Sequence, residues 1–376
     1  MTRSVFFAQL ELKTLSGTVI NTRAWAGELA RRGWQVGVFA REGDEAKRLL
    51  REAGIPVSTD IATIAHPPDV IHFSHHPAAV PLLLRCPDTP AVHMCQDADV
   101  WFEQPLSLER IRRRLAVDAA CRDRILMEAG PEAGEVELSP NTVDLRRFPE
   151  RATPLPKRPR RALIVANREG QHVPTLEAAC AAAGIETTTA GYGVGRPYAA
   201  LETAMAEADV VFGAARIALE GMAAGAAVVV CDHRGLAGMA TTEVFDRWRA
   251  DNFGRRILGQ AITPGTVRHA LEGYDAADAA AVTGRVRAEA AVERQVDQLE
   301  RAYEEAIALQ KARPHDRRKE LAQIAQYLSY YLPGHSPNPS TWSSERAAFR
   351  ARELELLRER DALAARLETR RPEPAT

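Results

Sequence analysis

Between Arg161 and Asp232, short apolar runs alternate with helical stretches in a steady rhythm: RALIVAN, VPTLEAACAAAG, IETTTAG, YAALETAMAEA, DVVFG, ARIALEGMAAG and AAVVVCD. A run such as AAVVVCD is apolar at consecutive positions, which suits a strand covered on both faces. Strands separated by helices of about 10–15 residues predict βαβ units and a parallel sheet. The first half repeats the pattern. SVFFAQ (4–9) reads as a strand, and LELKTLSG as a loop ending at Gly17. A helix follows with the stripe Val19, Ile20, Trp25, Ala26, Leu29 and Ala30, stopped by Gly33. WQVGVFA, DVIHFS and TPAVHMC read as the next strands, and RIRRRLAVDAACRDRILMEAG as a helix interrupted at AVD. EVELSP closes the series as a short strand. From Asn141 to Arg161 the rhythm stops: NTVDLRRFPERATPLPKRPRR holds four prolines and no periodicity, as a linker between domains would.

Composition narrows the function classes. A hydrophobic fraction of 45% with 26% charged residues is ordinary for a soluble globular chain. A net charge of -1 gives no bulk attraction to nucleic acid or membrane. Cys86, Cys95, Cys121, Cys180 and Cys231 are scattered without a C-x-x-C pair, as reduced cytosolic thiols are. The start, Met1-Thr2-Arg3 and then SVFFAQL, is too short for a signal peptide, and no apolar run approaches the ~18 residues that span a bilayer. The expectation is a cytoplasmic protein. The basic runs Arg110–Arg114 and Lys157–Arg161 would allow a peripheral position at the inner membrane face, although charged faces and linkers carry such runs without function.

Two α/β halves leave a cleft at the carboxyl ends of their strands, where ligands bind such sheets. Leu10–Gly17, His75-His76 and Gln96-Asp97 fall on that rim in the first half. NTVDLRRF resembles N-G-V-D-x-x-x-F, and ALEGMAAGAAVVV resembles L-E-A-M-A-x-G-x-P-V-V, both from the retaining, family 4 (group 1) type of GT-B glycosyltransferases. DVVFGAARIALEGMA further resembles a divergent bacterial subgroup with D-x-V-F-x-x-x-R-x-A-L-E-A-M-A. The resemblance covers about residues 4–300. It implies a GT-B architecture: an N-terminal Rossmann-like, acceptor-side domain over 1–150, a linker over 151–161 and a donor domain over 162–312. A helix over 313–333 would return to the first domain, and 334–376 would hold a linker and a terminal helix.

The resemblance makes Glu220 the ligand of the donor ribose, with the small residues around it admitting backbone to a ligand; composition alone equally allows an Ala-rich packing helix with one stray acid. An acid eight residues before Glu220, which contacts the transferred sugar in the family, is replaced by Phe212. Arg216, one helical turn before Glu220, reads either as a surface salt bridge worth ~0.3–0.5 kcal/mol or as a phosphate ligand. Arg168, beside Asn167, matches a diphosphate-neutralising arginine or an exposed loop charge, and no lysine follows at the family spacing. Gly17 falls at the family's glycine-rich loop. Gly235, Leu236 and Ala237 fall at its donor loop, with Gly238 beyond. Gln96 stands where a histidine is common and, with Asp97 and His75, makes up the candidate catalytic group; His93 and His76 are further proton-handling candidates. His72 reads as a core histidine. No third ligand joins His75-His76 at a metal spacing, so no metal or other cofactor is implied.

Beyond the second domain, AEAAVERQVDQLERAYEEAIALQ and HDRRKELAQIAQYLSYYLPG are amphipathic helices. Within 344–369, Phe349, Leu356 and Leu363 recur every seven residues, a stripe for self-association or a partner protein, or a solvated helix. The implied activity is transfer of a sugar from a nucleotide-diphosphate donor to a glycan, lipid-linked or small-molecule acceptor, as in polysaccharide biosynthesis. Two rival readings are a catalytically weak glycan-binding or scaffolding subunit and a sugar-nucleotide epimerase; NTVDLRRF speaks against the second.

Overall fold

A computed structural model of the chain describes residues 3–12, 16–42, 45–196 and 200–334. The terminal heptad stripe and the linker before it lie outside the described residues. The first half runs β1 (Ser4–Glu11), α1 (Gly17–Arg31), β2 (Gln35–Glu42), α2 (Glu45–Glu52), β3 (Val57–Ser58), β4 (Val70–Phe73), α3 (His76–Arg85), β5 (Ala91–Cys95), β6 (Ile111–Ala116), α4 (Ala119–Ala129) and β7 (Val136–Leu138). Its seven strands pair in parallel in the order β3-β2-β1-β4-β5-β6-β7. The second half runs β8 (Arg161–Val165), α5 (Val173–Ala182), β9 (Glu186–Ala190), α6 (Leu201–Glu207), β10 (Val210–Gly213), α7 (Arg216–Ala223), β11 (Ala227–Asp232), β12 (Gly235–Met239), α8 (Phe245–Ala250), α9 (Pro264–Glu272), α10 (Ala276–Glu289), α11 (Val292–Ala312) and α12 (Arg317–Gly334). Its sheet has five strands in the order β12-β11-β10-β8-β9, parallel except for β12.

The apolar runs are buried on both faces, as their composition requires. Leu163, Val165, Val211, Val228 and Val230 face one layer of the second core. Their alternates Ala162, Ile164, Val210, Phe212 and Val229 face the other.

Three sequence expectations are corrected. The helix expected over 110–130 begins only at Ala119, because Ile111–Ala116 is strand β6. Its arginines mimic a charged helical face, but neighbours absorb them: Arg112 donates to Gln310 Oε1 at 2.7 Å, and the buried Arg114 donates to the Leu106 carbonyl at 2.8 Å. Arg110 is fully buried, donating to the Leu83 carbonyl at 2.9 Å and to Glu320 of α12. Much of this run is therefore internal and is not a free basic patch. The two-residue β3 was also too short to leave a periodic signal.

The third correction concerns where the chain returns. The expected second domain ended at residue 312, yet α11 already packs on the first domain, where Val292, Val296, Leu299, Tyr303 and Ala306 join Trp25, Phe7 and Val92 in one core. Gln295 Oε1 accepts from Trp25 Nε1 at 2.8 Å and from Thr142 Oγ1 at 2.7 Å. His72 is a core histidine, its Nδ1 within 2.6 Å of the Tyr303 hydroxyl and its pKa pushed down by burial to about 3.

The linker is tied down at its start. Glu28 of α1 receives Arg31, Arg32 and, from the linker, Arg146 at 2.8 Å. Burial alone would raise the Glu28 carboxyl, but these guanidinia hold it at about 2 against an ordinary 4.5. A depressed pKa stabilises the fold above the unfolded value and loses that contribution as pH falls through the folded one. Glu28→Gln should therefore cost on the order of 2 kcal/mol at pH 7 in urea unfolding, with the difference from wild type shrinking between pH 4.5 and about 2.

Candidate functional site

The carboxyl ends of β8, β10 and β11 and the start of α1 enclose a cleft of about 450 Å³. Arg168, Arg216, Arg234, His172 and His233 line it from the second half, with Ser16 and Gly17 opposite. Gly17 opens α1 behind the cap Ser16, and a Cβ added there would meet nothing within 4 Å, so packing does not require a glycine here. Gly191 has a φ of +125°, and a Cβ there would lie 2.2 Å from the Ala166 carbonyl, so the turn after β9 seats directly on the end of β8, beside the cleft residues Ala166 and Tyr192.

Every arginine of the cleft is matched with a carboxylate. Arg168 Nη2 crosses from the second half to donate to Asp97 Oδ2 at 2.6 Å. Burial alone would raise the Asp97 carboxyl; Arg168 outweighs it and holds the group below the usual carboxylate range. Arg234 Nη2 donates to Asp232 Oδ2 at 2.6 Å across a tight turn. Arg216 pairs with Glu220 one turn along α7. That pair is no surface salt bridge: Arg216 is 9% and Glu220 2% exposed, and burial pushes the Glu220 carboxyl up despite its partner. Arg216 Nε and Glu220 Oε2 have no hydrogen-bond partner. Glu220 does not line this cleft; it lines a second cavity of about 220 Å³, with α1 and the segment Thr142–Phe148, and Arg216 stands between the two cavities.

The β10–α7 connection explains the missing acid. β10 ends at Gly213 and α7 begins at Arg216, so the position eight residues before Glu220 falls inside the strand. Phe212 is 1% exposed in the core. Its side chain packs in the core and does not line the cleft.

Other sequence candidates are placed differently. Gly235, Leu236 and Ala237 belong to strand β12 and not to a loop. Leu236 is buried, and its N–H and carbonyl bond Gln260 at 2.8 and 3.0 Å. The turn before them, Asp232–Arg234, lines the cleft in their place. Asn167 and Arg168 line it as expected. His75 is buried, and its Nδ1 accepts the Leu10 N–H at 2.9 Å, so it braces the end of β1 and is not a base in the cleft. His93 is sealed in the core and stacked on Phe73, and His76 Nε2 lies 3.0 Å from the Trp101 carbonyl. Gln96 is fixed at both ends of its amide, donating to Ser74 Oγ at 2.8 Å and accepting from Asn21 Nδ2 at 2.7 Å. Sequence reasoning missed Glu103, a buried carboxyl raised by desolvation that accepts the Asp97 N–H at 2.9 Å. It missed His172 and Arg234 too; only their nearness to strand ends marked them. Among the described residues, no group of three or more His, Cys, Asp or Glu converges to hold a metal, and no helix is long and apolar enough to cross a membrane.

Two Rossmann-like domains whose strand ends face one arginine-lined cleft define the GT-B architecture. Solved structures agree on the fold. The Anabaena protein HepE in complex with UDP and glucose superposes with a TM-score of 0.56 at 14% identity, covering 80% of this chain and 99% of that one. A Rickettsia africae glycosyltransferase gives 0.57 at 11% identity, covering 81% and 99%. A Listeria monocytogenes structure assigned as a UDP-N-acetylglucosamine 2-epimerase gives 0.52 at 12% identity, covering 84% and 98%. No protein-family model and no curated protein matches the chain.

The buried pair yields a direct test. Arg216→Ala strands the Glu220 carboxylate and should cost about 3–5 kcal/mol, whereas Arg216→Ala with Glu220→Ala should recover a large part of that loss, both read by urea unfolding.

Proposed function

We propose that the chain is a glycosyltransferase that takes a nucleotide-diphosphate sugar in the 450 Å³ cleft and passes the sugar to a hydroxyl acceptor. One observation carries this reading: Arg168 and Arg216 converge with the amino end of α7 at the strand ends of a GT-B fold. A guanidinium fork suits diphosphate oxygens, and unpaired N–H groups at a helix start favour an anion. Arg168 and Arg216 would bind the diphosphate, and Glu220, uncovered as Arg216 turns toward it, would take the ribose hydroxyls. Retention of configuration and a place in the divergent bacterial subgroup rest on the likeness of NTVDLRRF and ALEGMAAG to family 4 motifs. The bond from the sugar to the diphosphate breaks as the bond to the acceptor oxygen forms, and the acceptor proton passes to the leaving diphosphate. That route asks for no histidine base, in keeping with the burial of His75. The acceptor is a glycan, a lipid-linked sugar or a small molecule.

The matched arginines favour a second reading, a binding or scaffolding subunit, because each phosphate contact requires a carboxylate to let go. Calorimetry with UDP, GDP, ADP, CDP and dTDP separates the cases, followed by assays of donor hydrolysis, epimerisation and transfer. One nucleotide should bind, and Arg168→Gln should weaken it at least about tenfold. Asp97→Asn, which frees Arg168, should tighten it severalfold; an unchanged or weaker affinity would contradict the placement of the diphosphate. Binding without turnover of any donor would support the scaffold.

A further inference from the structure

Residues with φ above zero other than glycine are, among those described, Ala215, Asn252 and Phe253, and all three meet at one place. Ala215, at φ 52° and ψ -122°, precedes α7 in a conformation that favours glycine, and its N–H donates to the Phe253 carbonyl at 2.7 Å. Phe253 is fully buried at φ 49°, edge-on to Phe245 at 5.5 Å. Strained backbone of this kind persists where its surroundings over-determine it, and it gathers at functional sites. Here the surroundings continue as a line of hydrogen bonds. Asn252 Oδ1 accepts the Asn141 N–H at 3.1 Å. Asn141 Oδ1 accepts from Asn21 Nδ2 at 2.9 Å, and the same Asn21 nitrogen donates to Gln96 Oε1 at 2.7 Å. Gln96 Nε2 then donates to Ser74 Oγ at 2.8 Å.

We propose that this line of amide side chains, from the start of α7 through Asn252, Asn141 and Asn21 to Gln96, couples the donor end of the cleft to the Gln96–Asp97 loop of the other domain. The proposal rests on the donor reading above and adds positioning residues to it. Asn21, Asn141 and Asn252 are 5%, 8% and 3% exposed, so the line runs largely inside the protein. Asn252 holds the backbone of Asn141, and from Asn141 onward the side-chain amides of Asn141, Asn21 and Gln96 bond one another, so the orientation of one fixes the next. Asn21 directs both of its amide hydrogens to carbonyl oxygens, which turns the Gln96 amide nitrogen away toward Ser74. A diphosphate that draws on the backbone before α7 acts on Ala215, whose N–H is already spent on Phe253, and the adjustment passes down the line. The loop it reaches also carries Asp97, the partner of Arg168. Donor occupancy thus reaches the acceptor side by two routes, across the cleft through Arg168 and Asp97 and along the line of amides.

Trp101 follows this loop beside Glu103, outside the cleft lining, and reports on it. The test is 19F NMR of 5-fluorotryptophan-labelled full chain, with the Trp101 signal assigned from Trp101→Phe, titrated with whichever of the five nucleoside diphosphates binds. Asn21→Ala should change nucleotide affinity less than about threefold while cutting the nucleotide-induced Trp101 shift by more than half. Asn252→Gly, which keeps the positive φ and removes the acceptor, should do the same, and Asn252→Asp, which keeps the acceptor, should retain the shift. A full shift in both Asn21→Ala and Asn252→Gly overturns the proposal and leaves Arg168–Asp97 as the only route. The absence of a Trp101 shift in the wild type with nucleotide bound overturns it equally. Failure of every nucleotide to bind is a different result, which removes the donor reading itself.

Discussion

The cleft exists because α11 is buried in the other half of the molecule. Its stripe from Val292 to Ala306 completes the core under the first sheet, although α10, a few residues earlier, packs on the second. The chain therefore crosses between the domains twice, once at Asn141–Arg161 and once at Ala290–Val292. The bridge from Val143 to Ala291 ties the two crossings together. Two connections leave the strand ends facing each other, and a site assembled from both rims becomes available. Gln295, shared by Trp25, Thr142 and Ser139, sits where that arrangement is anchored.

Much of the architecture was legible because apolar period and turn residues are local signals. β8, β10 and β11 are continuous apolar runs, and Gly33 ends α1 region as its φ of +88° allows. The errors share a different origin. β6 was hidden by its run of arginines; Arg112 and the preceding Arg110 find partners some two hundred residues away on α11 and α12, and no local window contains them. The return of α11 was hidden because an amphipathic stripe states that a helix is covered and not by which domain.

The site was legible in part for the same reason. The placement of Asn167, Arg168 and Arg216 on the cleft follows from their position just after strand ends. His75 shares that position, but the path of the Leu10 backbone, a tertiary fact, decides that its Nδ1 faces inward. Phe212 illustrates the limit of motif spacing. A count of eight residues names a position but not its element, and here only Ala214 and Ala215 separate β10 from α7, so the count falls inside the strand.

The matched arginines have a consequence for discrimination. A cleft whose guanidinia are already paired with Asp97, Asp232 and Glu220 presents little net charge to solution. Simple anions abundant in a cell gain little there, because each would have to evict a carboxylate for one contact. A ligand that bridges two guanidinia with two linked phosphates and offers hydroxyls to the displaced carboxylates recovers both losses at once. On the donor reading proposed above, selectivity against free phosphate would follow from the pairing of the arginines within the cleft.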